Sequence, residues 1–96
     1  MKLDYLQLAD LEISIADRIY IQVSSWHLYL GDAKLAKALA MQCNAYLDNG
    51  AGLAARKALD EVEVPLGGGI TSLPLSRLIP SSQVLDLEEI LEPYCS

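Results

Sequence analysis

The chain has 96 residues, 52% of them hydrophobic, and seven basic side chains face thirteen acidic ones for a net charge of −6. That length suits a single domain, residues 1–96, able to bury roughly two-thirds of its unfolded surface and so to hold a core without metal or disulfide staples. The acidic balance argues against nucleic acid, whose binding needs basic groups to displace counterions from phosphates, and equally against an anionic membrane surface.

The N-terminal residues lead into a first helix whose apolar stripe is Leu8, Leu11, Ile15, Ile19, Val23 and Trp26, at spacings of three and four. The segments LEISI (11–15) and IYIQV (19–23) also alternate, which is a strand signature. A hairpin between them would need Ala16-Asp17-Arg18 as its turn, and that tripeptide lacks Gly, Asn and Pro, so the reading keeps the helix. Trp26 is the only Trp and His27 the only His, and there is no Phe. Trp26 is therefore expected near the bend of a helix-turn-helix corner, with Gly31 breaking the run and Asp32 capping the next helix. Ile21 and Leu28 fall toward the polar side of this first helix. They are either exposed apolar contacts or are covered by other elements. If the face is exposed, a homodimer through it is predicted, and Ile21→Glu would then give a folded monomer.

The second predicted helix runs from Ala33 to about Asp48, with Cys43 facing inward, and Asn49-Gly50 stops it. A third spans Leu53 to Glu61. The texture then changes in VEVPLGGGITSLPL (62–75), which predicts a β-hairpin turned by Gly67, Gly68 and Gly69. Proline has no N–H to give a strand ladder, so Pro65 and Pro74 should sit where that N–H would face no partner strand. Ser76 is expected to cap a helical turn ended by Pro80, and Ser81–Leu85 to connect it to the last element. Asp86 with Glu89 has the spacing of a capping box that opens a short final helix. Asp4, Asp10 and Glu12 interrupt any apolar signal-peptide core. The longest stretches without formal charge, 19–31 and 64–76, fall short of the roughly 20 residues a membrane span requires. A cytoplasmic location with reduced Cys43 and Cys95 is the resulting expectation.

The segments WHLYLGDAKLAKAL (26–39) and VPLGGGITSLPLSRLIP (64–80), followed by an acidic closing helix, resemble a family of small uncharacterised cyanobacterial proteins known as a domain of unknown function. The resemblance extends from roughly Ile13 to Leu91. It implies a protein of a photosynthetic bacterium and brings no catalytic residue, cofactor or substrate.

Motifs that carry chemistry are mostly absent from the sequence. The triple glycine lacks the Lys and the following helix of a phosphate loop. One His and two scattered Cys do not supply the three or four ligands of a metal site. No cofactor and no catalytic group are predicted, and His27 is read as structural or hydrogen-bonding. The fold class is α+β, mainly α: three helices, a Gly-turned hairpin and a short C-terminal helix. The leading function is a non-enzymatic interaction module that binds a protein partner through Trp26, His27, Tyr29, Ile21, Leu28 and the Gly67–Gly69 turn. The alternative is a small-molecule or cofactor binder with a pocket between Trp26 and the hairpin.

Overall fold

Helix α1 (Tyr5–Arg18) starts where Asp4 supplies a capping box: Asp4 Oδ1 accepts the Gln7 N–H at 2.8 Å, and Gln7 Oε1 accepts the Asp4 N–H at 3.1 Å. The computed structural model describes residues 3–23, 25–66 and 71–95. Leu11 and Ile15 carry the helix into the core, as the spacing predicts. Among the described residues the order is then strands β1 (Tyr20–Val23) and β2 (Trp26–Tyr29), a short helix α2 (Leu30–Ala33), helices α3 (Ala36–Tyr46) and α4 (Ala51–Glu61), strands β3 (Glu63–Leu66) and β4 (Thr71–Pro74), and helix α5 (Ser81–Leu91). The fold is α+β and mainly α. Each pair of strands forms its own antiparallel two-stranded sheet.

The first difference from the sequence reading is at Ile19. The helix does not continue to Trp26: Ile19 is extended (φ −100, ψ 134), and the alternation of IYIQV prevails as strand β1. The Ala16–Arg18 tripeptide is not a turn but stays helical, and the strand pairing closes with Val23 opposite Trp26. The second difference is at Gly31. It does not break a helix but lies inside α2. A Cβ there would stand 3.0 Å from the Ala16 Cβ and 3.2 Å from the Ala16 carbonyl oxygen, so glycine is what lets α2 lie against α1. The break comes at Lys34, whose backbone is left-handed (φ 62) and which closes α2. Helix α3 follows from Ala36 with Leu39, Ala40 and Cys43 buried, and Gly50 (φ 95) separates it from α4.

The second hairpin lies where the sequence places it. Leu75 N–H donates to Val62 O at 2.7 Å, which makes 62 and 75 a hydrogen-bonded pair in the Glu63↔Pro74, Val64↔Leu73, Pro65↔Ser72 register. Bonded pairs alternate along an antiparallel ladder, so Pro65 and Pro74 fall in the non-bonded pairs, where the missing N–H would face outward. The predicted turn residues Gly67, Gly68 and Gly69 lie outside the described residues. A 3₁₀ turn, Leu75–Arg77, leads to α5. That helix opens at Ser81, a turn and a half before the expected Asp86 start. Asp86 does not cap it. Its Oδ2 instead accepts from Gln83 Nε2 at 2.7 Å.

Leu11, Ile15, Ile19, Leu30, Leu39, Leu59, Leu75, Leu87 and Leu91 are among the fully buried side chains of one continuous core. Cys43 lies within it, and burial, reinforced by the nearby Cys95, pushes its thiol up to about 12. Cys95 is half-buried, and burial and then Glu92 raise it as well. The thiolate is the reactive form. A thiol reagent near neutral pH therefore modifies Cys95 alone in the native chain, and Cys43 only after denaturant. Peptide mapping by mass spectrometry checks this, and early loss of free Cys43 would contradict its burial.

Candidate functional site

The β1–β2 hairpin gathers most of the predicted contact residues, though not as a helix. The register pairs Tyr20 with Tyr29, Ile21 with Leu28, Gln22 with His27 and Val23 with Trp26. Paired residues share a face and neighbours alternate. Tyr20, Gln22, His27 and Tyr29 thus lie on one face, and Ile21, Leu28 and Trp26 on the other.

The core-facing side runs out beyond the core. Ile21 is 7% exposed, Leu28 40% and Trp26 76%. This corrects two expectations. Ile21, a candidate contact, is a core residue instead, the covered alternative, so the condition for a homodimer through an exposed Ile21/Leu28 face is not met. Trp26 is not the bulk that fixes the core; it projects from a hairpin that overhangs it. The outer face is aromatic. The Tyr20 and His27 rings stack at 4.6 Å and 29°, and Tyr29 meets Tyr20 edge-on at 5.4 Å and 64°. Such arrangements contribute about 0.5–1.5 kcal/mol each beyond area burial. All four residues of β2 are exposed.

The hairpin is anchored through β1. Leu30 N–H donates to Ile19 O at 2.9 Å, which sets the ladder phase and turns the Tyr20 and Gln22 N–H groups away from β2. The first donates to Gln83 Oε1 at 3.1 Å and the second to Leu78 O at 2.9 Å. Gln83 is a buried polar side chain, and its two ends tie β1 to Asp86 of its own helix. Neither Tyr20 nor Gln83 is singled out by the sequence reading. The alternating IYIQV next to WHLY is the signal that would have found Tyr20, whereas a lone Gln in a polar segment carries none.

Three depressions bounded by described residues surround this region and the helices. One of about 330 Å³ lies against Gln22, Arg77, Leu78, Ile79 and Pro80. One of about 430 Å³ is lined by Glu12, Ala16, Gly31, Lys34, Ala36 and Lys37. The third, about 240 Å³, lies over Leu59 and Val84. Trp26 lines none of these three. Among the described residues no three His, Cys, Asp or Glu side chains cluster so as to hold a metal ion. No helix among them is long and apolar enough to cross a membrane.

A sequence model of the family described as "Protein of unknown function (DUF3181)" matches residues 8–94. The chain is a member of DUF3181. The match takes in both hairpins and every helix except the first turn of α1, and it bears out the resemblance carried by WHLYLGDAKLAKAL and VPLGGGITSLPLSRLIP. A DUF3181 chain is also similar to a thylakoid-associated protein of Synechocystis sp., with 33% identity over 90 residues, 90% of this chain and 87% of the relative. No solved structure matches this DUF3181 chain.

Proposed function

We propose that the chain is a non-enzymatic interaction module that docks a protein partner with the β1–β2 hairpin, in the cytoplasm at the thylakoid surface. One observation carries the reading: β2 is wholly exposed while holding Trp26, Leu28 and Tyr29. Large apolar side chains left in water together are the mark of an interaction surface, and Trp and Tyr are the residues that most often dominate such contacts. His27 supports the same reading, because its ring is taken up by a stack on Tyr20, an arrangement that presents a flat surface. The net charge of −6 favours a partner whose apolar patch is bordered by basic residues and disfavours anionic lipid headgroups as the target. The thylakoid association in the relative's name indicates where to look for that partner.

The test is capture from thylakoid and soluble fractions, comparing the wild type with a Trp26→Ala/His27→Ala double variant. Both side chains are exposed, so the variant keeps its circular dichroism, and Trp26→Ala alone alters stability by no more than about 0.5 kcal/mol. A stoichiometric protein held by the wild type and lost by the folded variant is the expected result. Equal capture by both removes the hairpin as the contact. Retention of a small molecule in native mass spectrometry, with no protein, replaces this reading with ligand binding.

A further inference from the structure

The main chain of β2 has a use that its side chains do not explain. In the two-stranded sheet β1 occupies one side of β2, and no strand occupies the other among the described residues. The ladder phase set by the Leu30 N–H bond to Ile19 O directs the N–H and C=O groups of His27 and Tyr29 to that open side. Proteins commonly guard such edges with Pro, with Lys or other charges, or with a bulge. The other hairpin is guarded: Pro65 stands on the outer edge of β3 and Pro74 on that of β4, with Glu63 beside them. Trp-His-Leu-Tyr has no proline and no formal charge. Only its shortness, four residues, limits pairing.

We infer that the open edge of β2 pairs antiparallel with the β2 of a second copy of this chain, giving a two-fold dimer with a four-stranded sheet. A strand pairing with itself antiparallel is self-complementary, as a two-fold interface must be. With the axis at Leu28, His27 faces the second copy's Tyr29 in each half, and about four main-chain hydrogen bonds form. The same pairing brings the two Leu28 side chains opposite each other and Trp26 alongside, covering the apolar residues that overhang the core. It also joins the two Tyr20–His27–Tyr29 clusters into one aromatic face that stays open to a partner, while Trp26 and Leu28 are contested between that partner and the second copy.

The area sets the strength. Everything exposed on β2 amounts to on the order of 400 Å² per copy, and edge pairing covers only part of it, so the buried area is less than about half of the ~800 Å² per partner of a standard stable interface. The dimer is therefore of the weak, concentration-dependent class. Each copy carries −6, but none of that charge lies on the edge. The repulsion is long-range and is screened within ~8 Å at physiological salt, so added salt strengthens the association.

The inference uses the same hairpin as the interaction reading but not its partner, and the mass of the purified chain tests it alone. Sedimentation equilibrium from ~1 μM to ~1 mM should show the mass rising from 10.5 kDa toward twice that value, with the transition at lower concentration in higher salt. His27→Pro removes an outward N–H and the ring stacked on Tyr20, but leaves the hydrogen bonds between β1 and β2 in place. Leu28→Lys puts like charges at the axis. Both should hold the chain at 10.5 kDa across the series, and in the wild type the His27 and Tyr29 amides should gain exchange protection as concentration rises. Should His27→Pro disturb the hairpin by circular dichroism, Leu28→Lys and the exchange measurement decide. A wild type that stays at 10.5 kDa throughout overturns the inference and leaves the edge to a strand of another protein. So does a dimer that survives both substitutions.

Discussion

Ile21→Glu yields a chain that does not hold its fold under conditions where Leu28→Glu, on the cross-strand partner, does. The two residues are paired in the β1–β2 register and lie on the same face, yet Ile21 is 7% exposed and Leu28 40%. Removing a buried isoleucine forfeits about 1.5–3 kcal/mol of apolar burial. Forcing a carboxylate into its place adds several kcal/mol more, because nothing in the surrounding core can pair with it. The sum, roughly 5 kcal/mol or above, matches the lower end of the 5–15 kcal/mol that a domain of this kind has in total. Leu28→Glu loses less apolar burial, and its carboxylate stays in water, so the cost is about 1 kcal/mol or less. Thermal melts followed by circular dichroism distinguish the pair. An Ile21→Glu chain melting within a few degrees of the wild type would mean that the hairpin turns its other face to the core.

The region that resists reading from sequence is the same one that carries the candidate site, and the reason is physical. Between Ile15 and Trp26 two periodicities coexist: Ile15, Ile19, Val23 and Trp26 fit a helical face, while Ile19, Ile21 and Val23 fit a strand face. Local turn chemistry favours the helix, since neither Ala16–Arg18 nor the Ser24-Ser25 link has the residues a tight hairpin prefers. What settles the matter is distant. The acceptors for the outward N–H groups of β1 are Gln83, 63 residues from Tyr20, and the Leu78 carbonyl. No window of sequence around β1 contains them. Trp26 misleads for a related reason, because bulk predicts burial only if the backbone brings the ring to the core, and the hairpin carries it past. The legible parts obey local constraints. Gly50 ends α3 and its following 3₁₀ turn, Cys43 falls on the inward face of α3, and the two prolines select the one register phase that tolerates them. At α5 a local signal fails in the opposite way: Asp86 and Glu89 have capping spacing, but Gln83 engages the Asp86 carboxylate from inside the helix. Of the site residues, Trp26, His27, Leu28 and Tyr29 come together on one exposed strand, whereas Ile21 belongs to the core.

Gln83→Leu loosens the hairpin without replacing a single residue of the aromatic face. The substitution roughly preserves volume at a site that is 5% exposed, so packing changes little. It removes both polar ends at once. The Tyr20 N–H loses its acceptor at 3.1 Å, and the Asp86 carboxylate loses a donor at 2.7 Å. An orphaned, poorly hydrated donor costs about 1–3 kcal/mol. For a domain near 100 residues, each kcal/mol lowers the melting temperature by about 4–8 °C, which puts the expected fall near 10 °C. The location of the loss matters more than its size. The Gln22 N–H still has Leu78 O, and Ile19 and Ile21 still fill the core, so β1 stays in place with one of its two edge anchors. Hydrogen exchange should therefore quicken at Tyr20 first and at the β2 amides next, while the amides of α3 and α4 change only with the global stability. Gln83→Glu separates the two ends, because it keeps an acceptor for Tyr20 but sets a carboxylate beside Asp86. It should protect the Tyr20 amide better than Gln83→Leu while still lowering the melting temperature. Partner capture offers the functional counterpart. If the flat stack of Tyr20 on His27 is what a partner recognises, Gln83→Leu weakens capture although Trp26, His27 and Tyr29 are all present. Unchanged Tyr20 exchange would show instead that Ile19 and Ile21 alone fix the hairpin, and that Gln83 is buried there for the sake of its own helix.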